Sequence, residues 1–331
     1  MVTKLSVLDL APVVQGSNPT EALQHSLDLI RHAEAWGYNR YWVAEHHNMR
    51  GIASSATAVV IGYLAGGTKS IRVGAGGIML PNHAPLVIAE QFGTLASLYP
   101  DRIDLGLGRA PGTDQLTMQA LRRTLAGEID AFPRDVSELQ HYLKEPQPGQ
   151  RIIATPGAGT NVPIWILGSS LYGAQLAAMM GLPYAFASHF APQYMEPAIQ
   201  LYRENFKPSE QLQAPYVMLG FNVCAADDEE EAHYLRTSSL QSFLNLRRGM
   251  PGQLPPPVHG MEVTPGEHQM IQEIARCSAV GDPVSVAAQM NDFIEKTGAD
   301  ELMLVCSVFE HKARLRSYEL AMEASRSLAV A

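Results

Sequence analysis

Three cysteines in 331 residues, Cys224, Cys277 and Cys306, are too few and too far apart for a disulfide framework, and no two form a CxxC pair. Their odd number fits free, buried thiols in a reducing cytoplasm. There is no run of lysine or arginine, and 24 basic residues against 33 acidic ones give a net charge of −9. Nucleic acid and anionic membranes are therefore poor partners. No apolar run reaches the roughly 18 residues a membrane-spanning helix needs, and the N-terminal MVTKLSVLDLAPVV is too short and too polar for a secretion signal. Eleven histidines never form His-x-His, the pair that barrel metallohydrolases use. A full dinucleotide fingerprint is missing too. Gly106-x-Gly108 has its third glycine displaced, and no acidic residue ends a strand about 20 positions later.

What is present is an alternation of short β-branched runs with longer helical patterns. Strands are expected at Lys4–Asp9, Arg40–Ala44, Ile71–Gly77, Ile103–Gly108, Pro163–Leu167, Tyr184–Ala187, Tyr216–Ala225 and Glu301–Cys306. Helices are expected at Thr20–Trp36, Ser55–Ala65, Pro85–Leu98, Asp114–Leu125, Asp135–Leu143, Ser170–Met180 and Gln193–Phe206. A further helix opens on the carboxylates of Asp227–Glu231, which suit a helix N-terminus, and Lys312–Ser327 closes the chain. Eight such units predict a single α/β domain over residues 1–331, a (β/α)8 TIM barrel with its reactive face at the C-terminal ends of the strands. A doubly wound open sheet is the rival. The Pro- and Gly-rich stretches 145–161 and 249–266 read as loop excursions on that face rather than as linkers.

Four odd polar segments fall at strand ends. WVAEHHNMRG, residues 42–51, puts Glu45, His46 and His47 after an apolar run. Neighbours on an extended strand point to opposite faces, so His46 and His47 do not jointly chelate a metal, and no metal site is expected. VGAGGIML, residues 73–80, needs space for some reason. That reason is either a bulge or tight packing, or a flat ligand lying on bare backbone. Arg109, just past the fourth strand, binds an anion or pairs with Asp101, Asp104 or Asp114. Gly168-Ser169-Ser170 opens a helix, either as an ordinary serine cap or as a phosphate site made of backbone N–H groups and hydroxyls. Met79, His83, His189 and Phe190 are cavity-lining candidates that equally suit ordinary packing.

These segments, in this order, resemble the bacterial luciferase-like flavin monooxygenase family from Leu5 to about Ser317. The carriers are WVAEHH (42–47), VGAGGIMLP (73–81), GLGRAPG (106–112) and the late VGDPVSVAAQMNDFIEKTGADELML (280–304). GRAPGTD, Gly108–Asp114, is similar to a subfamily of luciferase-like oxidoreductases. The resemblance implies reduced FMN as cosubstrate, delivered by a separate flavin reductase, with dioxygen and an unknown small organic substrate. It implies His46 as the catalytic acid/base group, Glu45 as its supporting partner and His47 as structural. Gly76 and Gly77 fall at a non-prolyl cis peptide that packs on the flavin. Arg109, Gly168, Ser169, Ser170 and Tyr172 fall among the phosphate-binding residues. Gly108 and Gly168 depart from the luciferase pattern, which has a reactive cysteine and an acidic residue there. A deazaflavin-dependent dehydrogenase of the same fold and a flavin-binding protein without oxygenase activity remain open alternatives. The helix at Ala56–Ala65 is apolar around most of its circumference, and the family pairs through this region, so a homodimer through the second and third helices is expected.

Overall fold

Strand β1 (Lys4–Asp9) is hydrogen-bonded on both sides, to β2 (Arg40–Val43) and to the last strand, β9 (Glu301–Val305). That second pairing closes the sheet. From β2 the order runs in parallel through β3 (Arg72–Met79), β4 (Ile103–Gly108), β5 (Ile164–Gly168), β6 (Tyr184–Phe186) and β7 (Val217–Ala225) to β9. The doubly wound alternative is thereby excluded: eight strands form a closed parallel barrel. The computed structural model describes residues 3–110, 115–121 and 131–328. The expected helix Asp114–Leu125 is present as Gln115–Leu121, its remainder lying outside those residues, as do Pro111–Asp114 of the GRAPGTD motif.

Helices α1 (Pro19–Trp36), α2 (Thr57–Gly66), α3 (Pro85–Leu98), α4 (Gln115–Leu121), α5 (Phe132–Leu143), α6 (Leu171–Met180), α7 (Met195–Asn205) and α8 (Glu229–Arg247) follow the strands in turn. The last part of the chain supplies α9 (Pro265–Ala275), β8 (Ser278–Gly281), α10 (Pro283–Thr297) and α11 (His311–Leu328). Local signals set the boundaries. Asn18 accepts the Glu21 amide at 3.2 Å, Pro19 opens α1, and Gly37 ends it at φ 87°. The expectations omit α9, β8 and α10. β8 is a four-residue strand alongside the outer end of β7, Asn222 to Ala225, and is not a barrel stave.

Two apolar layers result. One lies between strands and helices. The other fills the barrel, where Leu8, Trp42, Trp165, Ala185, Met218 and Met303 meet. The floor beneath them is ionic. Arg40 donates to Asp104 at 2.6 Å and to Glu301 at 2.9 Å, Arg72 also pairs with Asp104, and Tyr216 donates to Glu301 at 2.9 Å. Asp104 is thus taken at the N-terminal end of β4, away from Arg109.

Of the two loop excursions, 249–266 lies at the C-terminal face. Leu254 exchanges backbone hydrogen bonds with Val13 and Gln15, and a Cβ on Gly51 would stand 2.1 Å from the Gly252 carbonyl oxygen. The stretch 145–161 joins a helix to the strand that follows it, and Gly157 packs on Ala89 and Gly93 of α3. A helix-to-strand connection ends where a strand begins, so this excursion belongs to the opposite side of the barrel.

Candidate active site

The segment after β2 leaves the strand at Ala44 and turns at Asn48, which holds the left-handed conformation at φ 56° that asparagine tolerates. Between them, Glu45 is 1% exposed. Its carboxylate is the centre of the site. Oε1 faces Nε2 of His47 and Nε2 of His83, each at 2.8 Å, and Oε2 accepts the Met79 amide at 3.1 Å. Facing a carboxylate, both Nε2 atoms carry the proton and donate it. Burial opposes ionisation of Glu45, but the hydrogen bonds and charge of His83, the hydrogen bond of His47 and the Met79 amide outweigh it. The carboxyl is held below its ordinary value. His83 reaches this point because Leu80–Asn82 forms a 3₁₀ turn that its own amide closes.

The sequence reading singles out Glu45 and His46 as a pair. The structure shows that the rings oriented by Glu45 are those of His47 and His83, while His46 lies half-buried beside them in the chain. His46 and His47 lie beyond the end of β2 at Val43, so strand alternation does not set their directions. It also says nothing of His83, which follows a different strand. Glu45, His47 and His83 present three donor atoms within 4.8 Å of one another, a set whose chemistry suits a divalent transition metal as well as a proton.

Strand β3 breaks register against β4 between Ala75 and Ile78, and the Gly76–Gly77 peptide is cis. Interior packing alone requires these glycines. A Cβ on Gly77 would stand 2.7 Å from the Gly106 carbonyl oxygen, and one on Gly76 would stand 2.8 Å from Leu8 and 3.0 Å from Trp42. Gly76 also borders an opening at the barrel mouth, of about 350 Å³, with Leu8, Trp42, Leu167 and Met303. The packing reading of the glycine run therefore holds for both residues, and Gly76 also borders the opening.

Arg109 and Tyr172 come together. The guanidinium lies over the Tyr172 ring, 4.0 Å from its centroid. Arg109 follows β4 and Tyr172 sits in the first turn of α6, so residues 63 positions apart converge above β4 and β5. Ser170 is the N-cap of α6, yet its hydroxyl makes no cap hydrogen bond. The ordinary serine cap does not occur. Gly168 ends β5, where its carbonyl accepts the Ala187 amide at 2.9 Å, and Ser169 is exposed.

A second cavity, about 1260 Å³ including the space open to solvent, adjoins the first opening at His189, which lines both. It lies under the loops after β1 and β2, helix α8 and the 249–266 excursion, which contributes Pro251, Gly252 and Leu254. Part of His189 is exposed, but its Nδ1 is buried without a partner among the described residues, and burial pulls its pKa to about 4. His189 is therefore a neutral ring at working pH. Phe190 stands beside it under the Arg247 guanidinium, at 4.6 Å.

A family model described as luciferase-like monooxygenase matches residues 3–319. A protein of Escherichia coli strain K12 named luciferase-like monooxygenase is 55% identical over 325 residues, covering 98% of this chain and 97% of its own. Among solved structures, apo-MsnO8 superposes with a TM-score of 0.87 at 35% identity, with 98% of each chain covered. The FMN complex of the oxygenating constituent of 3,6-diketocamphane monooxygenase from Pseudomonas putida shares the fold at a TM-score of 0.71 and 16% identity, over 98% of this chain and 97% of that one.

Proposed function

The chain belongs to the luciferase-like monooxygenase family, and on that premise we propose that it is a monooxygenase using reduced FMN and dioxygen on a small organic substrate. The observation that carries the cofactor assignment is Arg109 stacked on Tyr172, next to a helix start whose serine leaves its hydroxyl uncommitted. A cation on an aromatic face, exposed N–H groups at the start of α6 and the free hydroxyls of Ser169 and Ser170 suit a phosphate. The opening bordered by Gly76, Leu8 and Trp42 offers a planar ring an apolar wall without side chains on one strand. The residues present therefore fit FMN.

Bound reduced flavin supplies the electrons that activate dioxygen. The chain's part is to hold the phosphate through Arg109 and the turn at 168–170, to exclude water, and to move one proton. His46 is the group assigned that proton, because an imidazole can both accept and donate one and this residue falls at the family's catalytic histidine. Glu45 fixes His47 and His83 behind it. A separate flavin reductase supplies the reduced cofactor. The free, buried cysteines support a reducing cytoplasm, and among the described residues no helix is long and apolar enough to cross a membrane. We also propose a homodimer through α2 and α3, where Val59, Tyr63 and Leu98 are 73, 45 and 63% exposed.

The test is titration of the protein with FMN, riboflavin and a deazaflavin, followed by mixing of the reduced complex with oxygen under absorbance detection. Preferential binding of FMN and oxidation altered by His46→Ala support the reading. Preference for the deazaflavin, with no oxygen reactivity, replaces it with a dehydrogenase.

A further inference from the structure

The larger cavity is bordered by two arginines, Arg50 and Arg236, and among the described residues by no aspartate or glutamate. In a chain of net charge −9 that is an inversion of sign. Arg236 is the more telling of the two. It sits on α8 with its side chain largely withdrawn from water, and its guanidinium has no salt bridge or hydrogen bond among the described residues. Every comparable arginine is matched. Arg40 and Arg72 meet Asp104, Arg314 meets Asp9 at 2.7 Å, Arg102 donates to the carbonyls of Ile71, Ala65 and Thr68, and Arg247 lies on Phe190 and Phe243. Burial pulls the Arg236 pKa below the usual arginine value, since desolvation is only weakly offset by the neighbouring Cys224 thiol. A withdrawn cation with no counter-charge is costly unless something else brings one. Leu240, Phe243, Leu246 and Leu254 give much of the remaining wall an apolar surface, with Asn222, Ser239, Ser242, Ser278 and Ser307 interspersed.

We propose that this cavity takes a substrate with an apolar body and a carboxylate head, and that Arg236 is the counter-ion of that head. Arg50, at the exposed side, adds to the attraction. Arg236 borders only the larger cavity and His189 borders both, so a molecule anchored at Arg236 directs its other end past His189 toward the opening that Gly76 borders. That end is the one to be oxidised. The inference deepens the flavin monooxygenase reading and rests on it for the reaction, but not for the binding.

The test is therefore made on binding, without flavin or oxygen. Isothermal titration of the whole protein with octanoate and with octanamide compares an anionic and a neutral head on one apolar body. Octanoate is expected to bind about ten- to a hundredfold more tightly, the span of a charge-assisted contact in a partly dry site. Arg236→Gln should erase that preference and leave octanamide within about threefold of wild type, whereas Arg236→Lys should keep part of it. Unchanged melting temperature and unchanged FMN affinity in the Gln variant establish that the fold and the flavin site are intact. Equal binding of the two probes by wild type, no octanoate binding at millimolar concentration, or a preference that survives Arg236→Gln would each overturn the proposal. If the preference holds while FMN does not bind, the flavin reading fails and the carboxylate site stands.

Discussion

Replacing Glu45 by glutamine changes one oxygen for an NH₂ group at the best-connected point of the site. The remaining carbonyl oxygen still accepts from the two imidazoles now at 2.8 Å, but as neutral hydrogen bonds. Hydrogen bonds to a charged group contribute about 1.5–3 kcal/mol and neutral ones about half of that, so the two together lose about 1.5–3 kcal/mol. The new NH₂ faces the Met79 amide at the present 3.1 Å contact, two donors without an acceptor, which costs about 1–3 kcal/mol more. Neighbouring effects are not additive, and some relaxation offsets them, so the expected destabilisation is about 2–4 kcal/mol at neutral pH. Its pH dependence is distinctive. The Glu45 carboxyl is held below its ordinary 4.5, so its contribution is present above that value and is lost as pH falls through the folded-state pKa. The gap between wild type and Glu45→Gln in urea unfolding should therefore hold at neutral pH and narrow as pH falls below the ordinary 4.5. A variant as stable as wild type at pH 7, or a gap independent of pH, would refute the idea that an ionised Glu45 anchors His47 and His83.

The other predictions concern cofactor, proton, metal and assembly. Arg109→Ala should weaken FMN binding roughly ten- to a hundredfold and riboflavin far less, in a fluorescence titration; equal losses remove the phosphate assignment. His46→Ala should keep flavin affinity and slow the oxygen reaction by about two to four orders of magnitude. With His47 and His83 now seen to share Glu45, His47→Ala should lose stability rather than leave the protein unchanged, and stopped-flow mixing with oxygen separates the two variants. Elemental analysis should find no stoichiometric metal on Glu45, His47 and His83, and a chelator should leave the melting temperature unchanged; a bound ion that stabilises the fold makes them a ligand set. Wild type should sediment as the proposed dimer and Val59→Asp as a monomer, whereas a wild type that sediments only as monomer excludes the dimer.

The barrel is legible because its signals are local. β4 and α3 run over the same residues as the periodicity predicts, α3 opening on Pro85 and closing just before Pro100, and β4 ending on Gly108. The missing elements fail for the opposite reason. Ser278–Gly281 is a strand only because β7 extends past the barrel to pair with it, and four residues carry no period of their own. The site is half legible. Arg109 and Tyr172 follow strand ends, where a barrel keeps its reactive groups, and they do meet, with Ser170 capping the helix that carries Tyr172. The Glu45 cluster needs two loops to meet, and a sequence shows no such meeting: His83 is a lone histidine after a proline until Met79 and His47 are seen on the same carboxylate. Arg236 is hidden more deeply. On a helix it reads as solvated surface, and only the absence of a hydrogen-bond or ion-pair partner among the described residues gives it meaning.

These observations share an electrostatic logic. Among the described residues the buried carboxylates are all taken: Asp104 and Glu301 neutralise Arg40 and Arg72 at the floor, Glu45 is met by two rings and an amide, and Asp9, at the end of β1, pairs with Arg314. At the C-terminal face the balance tips the other way. Arg109 and Arg236 stand there without a carboxylate among the described residues, one on an aromatic ring and one in an apolar wall. Arg236 borders the larger cavity and Arg109 is not among its lining residues, so an anion held there by Arg236 is not one held by Arg109. A phosphate at the first and a carboxylate at the second would leave the ring of one ligand and the far end of the other facing each other at His189, which burial keeps neutral and therefore indifferent to both charges. Under the two proposals, a chain of net charge −9 would offer anions two places to bind. Reversing either sign, by Arg109→Glu or Arg236→Glu, should abolish the matching ligand and spare the other.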